Sequence, residues 1–287
     1  MIVVTGATGN LGTLVVEGLI KQVPAEDIAV VVRDAAKAAR FGELGVEVRV
    51  ADYSDPASLV DAFRSGEKVL LISGSELGQR VPQHQAVIDA AKAAGVALLA
   101  YTSVLGGPAA DFELAREHQI TERYLIDSGL PYVLLRNGWY HEVYTEALGQ
   151  TIAGGFLTST AEGAKIASAA RADYAAAAVA VLTGEGHVNK EYELSGDVAY
   201  TYEEFTAEVS RQLGKEVTVN RVPAQTHREI LAGAGLPEPI PAILVGVDEA
   251  ISRGLLAVQT GDLSKLIGRS TTPISQSIAQ GLSAVEA

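Results

Sequence analysis

The chain has 287 residues, 48% of them hydrophobic and 20% charged, enough for one large globular domain or a domain with a smaller lobe. Its formal charge of −13 argues against nucleic acid or an anionic membrane surface as partner, and the absence of cysteine removes disulfides, thiolate catalysis and thiolate-bound metals. The five histidines, His84, His118, His141, His187 and His227, include no i,i+4 pair, so no metal site is expected.

The first predicted element is an apolar strand over residues 2–5, with no basic leader ahead of it. No apolar run reaches membrane-spanning length, and a cytoplasmic protein is expected. A glycine-rich turn follows, and a helix is predicted over 10–22. β-Branched runs predict strands at 27–33 and 45–53, and near-continuous apolar runs predict strands at 67–73, 96–103 and 130–137. Helical patterns lie between them at 35–44, 56–65, 82–94 and 111–128. Asp34 stands at one N-cap, Asp55-Pro56 provides N-cap and N1 of the next, and Gly95 and Gly129 end the last two. Strands without alternation are buried on both faces. Six alternating units therefore predict an α/β fold, a Rossmann-type doubly wound parallel sheet, in residues 1–150.

The rhythm changes near residue 150. Residues 151–287 are predicted to form a smaller C-terminal mixed α/β lobe that binds substrate. Its helices are expected at 171–183, at 202–213 behind a Thr201/Glu204 capping box, near 225–233 and at 240–253. Its strands are expected at 190–196 and 215–222.

The turn between the first strand and helix reads Gly6-Ala7-Thr8-Gly9-Asn10-Leu11-Gly12. Glycines spaced by three at this place suit a pyrophosphate. Gly6 permits the tight turn, Gly9 the approach of the phosphates, and Gly12 the packing of helix on strand. The end of the second strand selects the dinucleotide. An acid there binds a ribose 2′-hydroxyl, and an arginine accommodates a 2′-phosphate. Both are present, but Asp34 is placed to cap the next helix, which leaves Arg33 as the phosphate ligand and NADPH as the expected cofactor. Asp52-Tyr53, Ser73-Gly74-Ser75, Thr102-Ser103 and Asn137-Gly138-Trp139-Tyr140 end the next four strands and should line the same crevice.

Together "VTGATGNLG", "VVRD", "ADYSD", "LLISGSE", "YTS", "LRNGWY" and "RADYAAAAVAVL" resemble the NmrA-like group of atypical short-chain dehydrogenases/reductases over nearly the whole chain. Within it the chain is similar to bacterial NADPH-dependent, flavin-independent quinone oxidoreductases, and to triphenylmethane dye reductases. The resemblance implies cofactor contacts at Gly6, Ala7, Thr8, Gly9, Asn10 and Leu11, at Arg33, at Ser73, Gly74 and Ser75, and at Asn137, Gly138, Trp139, Tyr140, His141 and Glu142. It implies a cleft between the two lobes and a monomer or dimer.

The wider superfamily carries a Tyr followed four residues later by Lys. Here Tyr53, Tyr101, Tyr124, Tyr132 and Tyr140 are followed at that spacing by Ala57, Leu105, Ser128, Arg136 and Tyr144. Alcohol oxidation needs that base, whereas a quinone is already electrophilic and needs mainly orientation and dryness. The expected activity is reduction of a quinone or related planar acceptor by direct hydride transfer, with no catalytic residue assigned. Trp139 and Tyr140 are candidates to pack against the acceptor. His118 and Glu122, one turn apart, are candidates to bond a quinone oxygen, although a structural role suits them better. Arg171 and Asp173 are expected to form an anchoring pair between lobes. A non-enzymatic NADP-binding redox sensor and a reductase of planar dyes are the alternatives.

Overall fold

The computed structural model describes residues 1–286. Seven parallel strands form the main sheet: β1 (Ile2–Thr5), β2 (Ile28–Val32), β3 (Glu47–Val50), β4 (Lys68–Leu71), β5 (Leu98–Val104), β6 (Tyr132–Asn137) and, after a short strand β7 (Phe156–Ser159), β8 (Lys190–Leu194). The sheet order is β3-β2-β1-β4-β5-β6-β8. The chain therefore winds outward in one direction from β1 to β3 and in the other from β4 to β8. The crevice opens where the windings diverge, at the carboxyl ends of β1 and β4.

Alternate residues of each strand feed two different cores, which is why the runs are apolar throughout. Val4, Val30, Leu70, Ala100 and Val133 point to one face, together with α1 (Asn10–Ile20), α2 (Ala39–Glu43), α7 (Arg171–Thr183) and α11 (Asp262–Ile267). Val3, Ala29, Val69, Leu99 and Leu134 point to the other, under α3 (Arg80–Ala94) and α4 (Glu113–Asp127). Helix α7 is alanine-rich because it lies close against α1. A Cβ on Gly18 would come within 2.9 Å of Val179.

The smaller lobe packs a third core around Tyr144, Tyr202, Phe205 and Val247. It is built from α5 (Glu142–Thr145), α6 (Leu148–Gly154), α8 (Tyr202–Leu213), α9 (Ala224–Gly233), α10 (Ile240–Ser252), α12 (Ile274–Glu286) and the pair β7 and β9 (Thr218–Arg221). The capping box of Thr201 and Glu204 is present at the start of α8.

Three expectations change. The helix predicted at 171–183 in the smaller lobe is α7, packed on the main sheet against α1. The strand predicted at 190–196 in the smaller lobe is β8, paired in parallel with β6 at the edge of the main sheet. Its Glu191 and Glu193 reach Arg136 of β6 at 2.8 Å each, and these charges fix it there. The helix predicted over 56–65 is only a 3₁₀ turn at Pro56–Leu59. The carbonyl of Ala62, needed for a continuing helix, accepts instead from buried Arg49 at 2.8 Å. Successive i→i+3 bonds from Val60 and Ala62 carry the chain on.

Three buried histidines join elements together. His84 of α3 bonds Thr121 of α4, His118 of α4 bonds Tyr101 of β5, and His141 bonds Ser277 of α12 and the carbonyl of Ser168. Burial holds all three imidazoles neutral. His84 is pushed down to about 3, His141 to about 4, and His118 well below the ordinary range. As pH falls below about 6.5, the unfolded chain takes up protons that the folded chain does not, so stability is lost toward acid. Urea unfolding at pH 7 and pH 5 should differ by roughly 3–6 kcal/mol in favour of pH 7. An unfolding free energy unchanged over this window would contradict the neutral assignment.

Candidate functional site

The site begins with the turn out of β1. Gly6 takes a φ of +60°, open to glycine and strained for other residues. Gly12 sits where α1 approaches closest, since a Cβ there would lie 2.3 Å from the Gly6 carbonyl oxygen and 2.7 Å from Cα of Ala7. Gly9 is different. Its backbone is ordinary and extended, and a Cβ would meet only the Gly6 carbonyl oxygen, at 3.3 Å. Helix α1 has no side-chain cap at Gly9 and no acid in its first turn. Its first amides thus present donors and the positive end of the helix dipole to the crevice. The glycines at 6 and 12 build the turn, and the glycine at 9 leaves room for a ligand.

The second wall is the loop after β4. Its shape is set by two side chains from the first two turns of α3. Nε2 of His84 accepts from the Gly74 amide at 3.0 Å, and Nε of Arg80 donates to the Gly74 carbonyl at 2.7 Å. The neutral His84 can play this part because its Nδ1–H is given to Thr121, whose own hydroxyl donates to the carbonyl of Glu117. The amide of Ser73 is held by the Thr102 hydroxyl at 2.9 Å, tying β4 to the end of β5.

These walls enclose a cleft of about 790 Å³, a volume suited to an extended cofactor and a small acceptor. Gly6, Thr8, Gly9, Asn10 and Leu11 line it at one end, with Arg33 and Lys37 beyond them. Ser73, Gly74 and Ser75 form the middle, and Asn137, Gly138, Trp139 and Tyr140 the far end. Three expected contacts fall outside. Ala7 is fully buried beneath the turn. The ring of His141 is turned into the protein toward Ser168 and Ser277, and the carboxylate of Glu142 caps α7 by accepting from the Arg171 amide at 3.0 Å.

At the mouth, Arg33 is largely exposed and paired with Glu76 at 2.8 Å. Asp34 accepts from the Ala36 amide at 2.9 Å and so caps the following turn, as its position predicts. The phenol of Tyr53 bonds Thr5, and burial pushes it above its ordinary range, so it remains a neutral wall.

At the far end, Oδ1 of Asn137 and the indole N–H of Trp139 are buried and have no hydrogen-bond partner among the described residues. Unpaired buried polar atoms are costly, but both are closed off from the cleft, and Trp139 packs against the core of the smaller lobe beside Tyr144. Glu122 is not free for chemistry. Arg136 grips both its oxygens, at 2.8 and 2.9 Å, and Ser103 donates to it at 2.5 Å. Arg171 and Asp173 do not pair with each other. Arg171 bonds Glu146 and lies 5.4 Å over the Tyr140 ring, whereas buried Asp173 accepts from Arg269 and Thr272.

Arg80, Gln83 and His84 are the lining and supporting residues that the sequence motifs do not mark. Their spacing does carry a signal, for they continue at i, i+3 and i+4 the buried stripe of Val87, Ile88 and Ala91.

Comparison with known proteins agrees with this geometry. Residues 1–257 match the model of the NmrA-like family. The chain is 47% identical over 279 residues to quinone oxidoreductase 2 of Escherichia coli, covering 97% of this chain and 98% of that protein. The crystal structure of an NADPH-dependent quinone oxidoreductase from that organism complexed with NADPH superposes with a TM-score of 0.95 and 47% identity, over 98% of this chain and 99% of the other. Triphenylmethane reductase of Citrobacter sp. complexed with NADP(H) superposes with a TM-score of 0.94 at 38% identity, over 98% of this chain and all of the other.

The two glycines separate cleanly by experiment. Gly9→Val should keep the wild-type melting temperature and lose NADPH binding, measured by fluorescence titration. Gly12→Ala should destabilise the fold by about 1–3 kcal/mol, because overpacking meets backbone rather than a movable side chain. A folded Gly9→Val variant with unchanged NADPH affinity would remove the phosphate role of this turn.

Proposed function

The chain belongs to the NmrA-like family, and from that premise we propose that it is an NADPH-dependent reductase of quinones working by direct hydride transfer without flavin. The observation that carries this reading is the single continuous cleft. It joins an uncapped helix terminus and an exposed arginine at one end to a wall of Asn137, Gly138, Trp139 and Tyr140 at the other. The near-full-length similarity to a quinone oxidoreductase supports the acceptor class.

When bound, NADPH supplies the hydride. The protein's part is binding, orientation and dryness. The amides of the first turn of α1 are placed to receive the pyrophosphate. Arg33 and Lys37, which line the cleft beyond the glycine turn, would hold an adenosine 2′-phosphate. The Arg33–Glu76 pair is solvent-exposed and costs at most about 1 kcal/mol to open, so Arg33 is available to a phosphate. Trp139 and Tyr140 give a flat acceptor an aromatic wall. No residue of the cleft is arranged as a strong general base, which suits an acceptor that needs none.

Planar dye cations form the second acceptor class, supported by the similarity to the Citrobacter enzyme and by the acidic charge of the chain. A non-enzymatic sensor would bind NADPH without turnover. Loss of NADPH absorbance with a panel of benzoquinones, naphthoquinones and triphenylmethane dyes separates the three readings. Turnover with quinones is the expected result, and binding without turnover of any acceptor would overturn the enzyme reading.

Arg33 gives the cofactor test. Hydrogen bonds to a charged group contribute roughly 1.5–3 kcal/mol, so Arg33→Ala should weaken NADPH by about 10- to 150-fold and leave NADH nearly unchanged. The loss should fall mainly on KM, because the phosphate is remote from the reacting carbon. Equal losses for both cofactors would make Arg33 a structural residue.

A further inference from the structure

His118 lies in the middle of α4 and is 7% exposed, yet its ring lines the cleft beside Thr102, Ser103 and Leu114. Its Nδ1 stands 2.7 Å from the hydroxyl of Tyr101, which is fully buried in β5. Burial pushes that phenol above its ordinary range, so it stays neutral and can serve as donor or acceptor in this bond. Burial also keeps the imidazole neutral, helped by the positive charge of Arg80. A neutral ring that accepts at Nδ1 carries its one proton at Nε2. Nε2 has no partner among the described residues. The neighbouring groups that might have claimed it are occupied, since Glu122 is held by Arg136 and Ser103, and His84 by Gly74 and Thr121.

We propose that His118 is a catalytic residue of this cleft, whose Nε2–H donates a hydrogen bond to the carbonyl oxygen of the quinone, with Tyr101 as the positioning residue that fixes the tautomer. This rests on the quinone reading above. The acceptor gains two electrons and one proton as a hydride while NADPH is oxidised to NADP⁺, and negative charge gathers on the acceptor oxygen. Nε2–H stabilises that oxygen most when the charge is greatest, so it favours the transition state over the ground state. The imidazole keeps its proton throughout, because giving it up would leave an imidazolate beside a buried phenol. The second proton of the hydroquinone comes from water.

The test has one readout independent of turnover. Correlation of ring ¹⁵N and ¹H resonances in the wild-type protein should show His118 protonated at Nε2 and accepting at Nδ1, and Tyr101→Phe should abolish that pattern. In kinetics, His118→Leu should bind NADPH within about 3-fold of wild type and lose on the order of 10- to 100-fold in kcat/KM for quinones, as for a lost hydrogen bond to a charged oxygen. His118→Gln keeps an N–H donor and should recover part of the loss. A His118 proton found on Nδ1 would overturn the proposal. So would a folded His118→Leu variant within 2-fold of wild type. Absence of quinone turnover in the unmodified protein would instead remove the reading on which the proposal rests, leaving the tautomer itself measurable.

Discussion

The close approach of α1 to β1 is the constraint on which the site depends. A Cβ at Gly12 would strike backbone, because the helix has come to within van der Waals distance of the preceding turn. That contact aims the uncapped end of α1 at the point where the two windings of the sheet diverge. A helix packed farther away would leave the same amides facing solvent. The two alternating cores on either side of the sheet hold the strands rigid enough for this placement to persist.

The rest of the cleft is organised around groups that stay neutral. His84 shapes the loop after β4 only as an uncharged acceptor, and Arg80 completes the clamp from the other side of the same glycine. Tyr53 and Tyr101 are phenols that burial keeps protonated. The permanent charges are placed at the mouth, where Arg33 meets Glu76, or are locked into pairs such as Arg136 with Glu122. This division suits hydride chemistry, in which the cleft has to hold a cofactor and a flat electrophile while presenting no base strong enough to run an alcohol oxidation.

Much of this was legible in the residues. Strands buried on both faces read as unbroken apolar runs, and a glycine turn between strand and helix has few other uses. Arg33 and Asp34 could be assigned different tasks because one can cap and the other can reach a phosphate. The second winding was harder. Lys190–Leu194 alternates charge with apolar residues, like a strand at a small exposed sheet, and its place beside β6 depends on ion pairs to Arg136 that local pattern does not encode. The 56–65 segment has helical spacing of Leu59, Ala62 and Phe63, but a distant arginine takes the carbonyl that a helix would need. His141 and Glu142 continue a motif whose earlier members face the cleft, yet the backbone turns at Tyr140 and sends them to α12 and α7. His84 and His118 look like core residues by spacing, and are buried as such. His84 acts through both of its ring nitrogens and His118 leaves Nε2 unbonded, a property of tertiary hydrogen bonding.

Direct hydride transfer from NADPH to the quinone is the central claim, and a single-turnover experiment with cofactor deuterated at C4 of the nicotinamide tests it. Enzyme saturated with NADPH is mixed with one equivalent of quinone without oxygen, and NADPH loss and hydroquinone formation are followed together. If the hydride passes directly, the two signals share one rate, that rate falls severalfold on deuteration of the transferred position, and no flavin absorbance appears. NADPH consumed before hydroquinone is formed, or a reduced flavin signal between the two events, would contradict it.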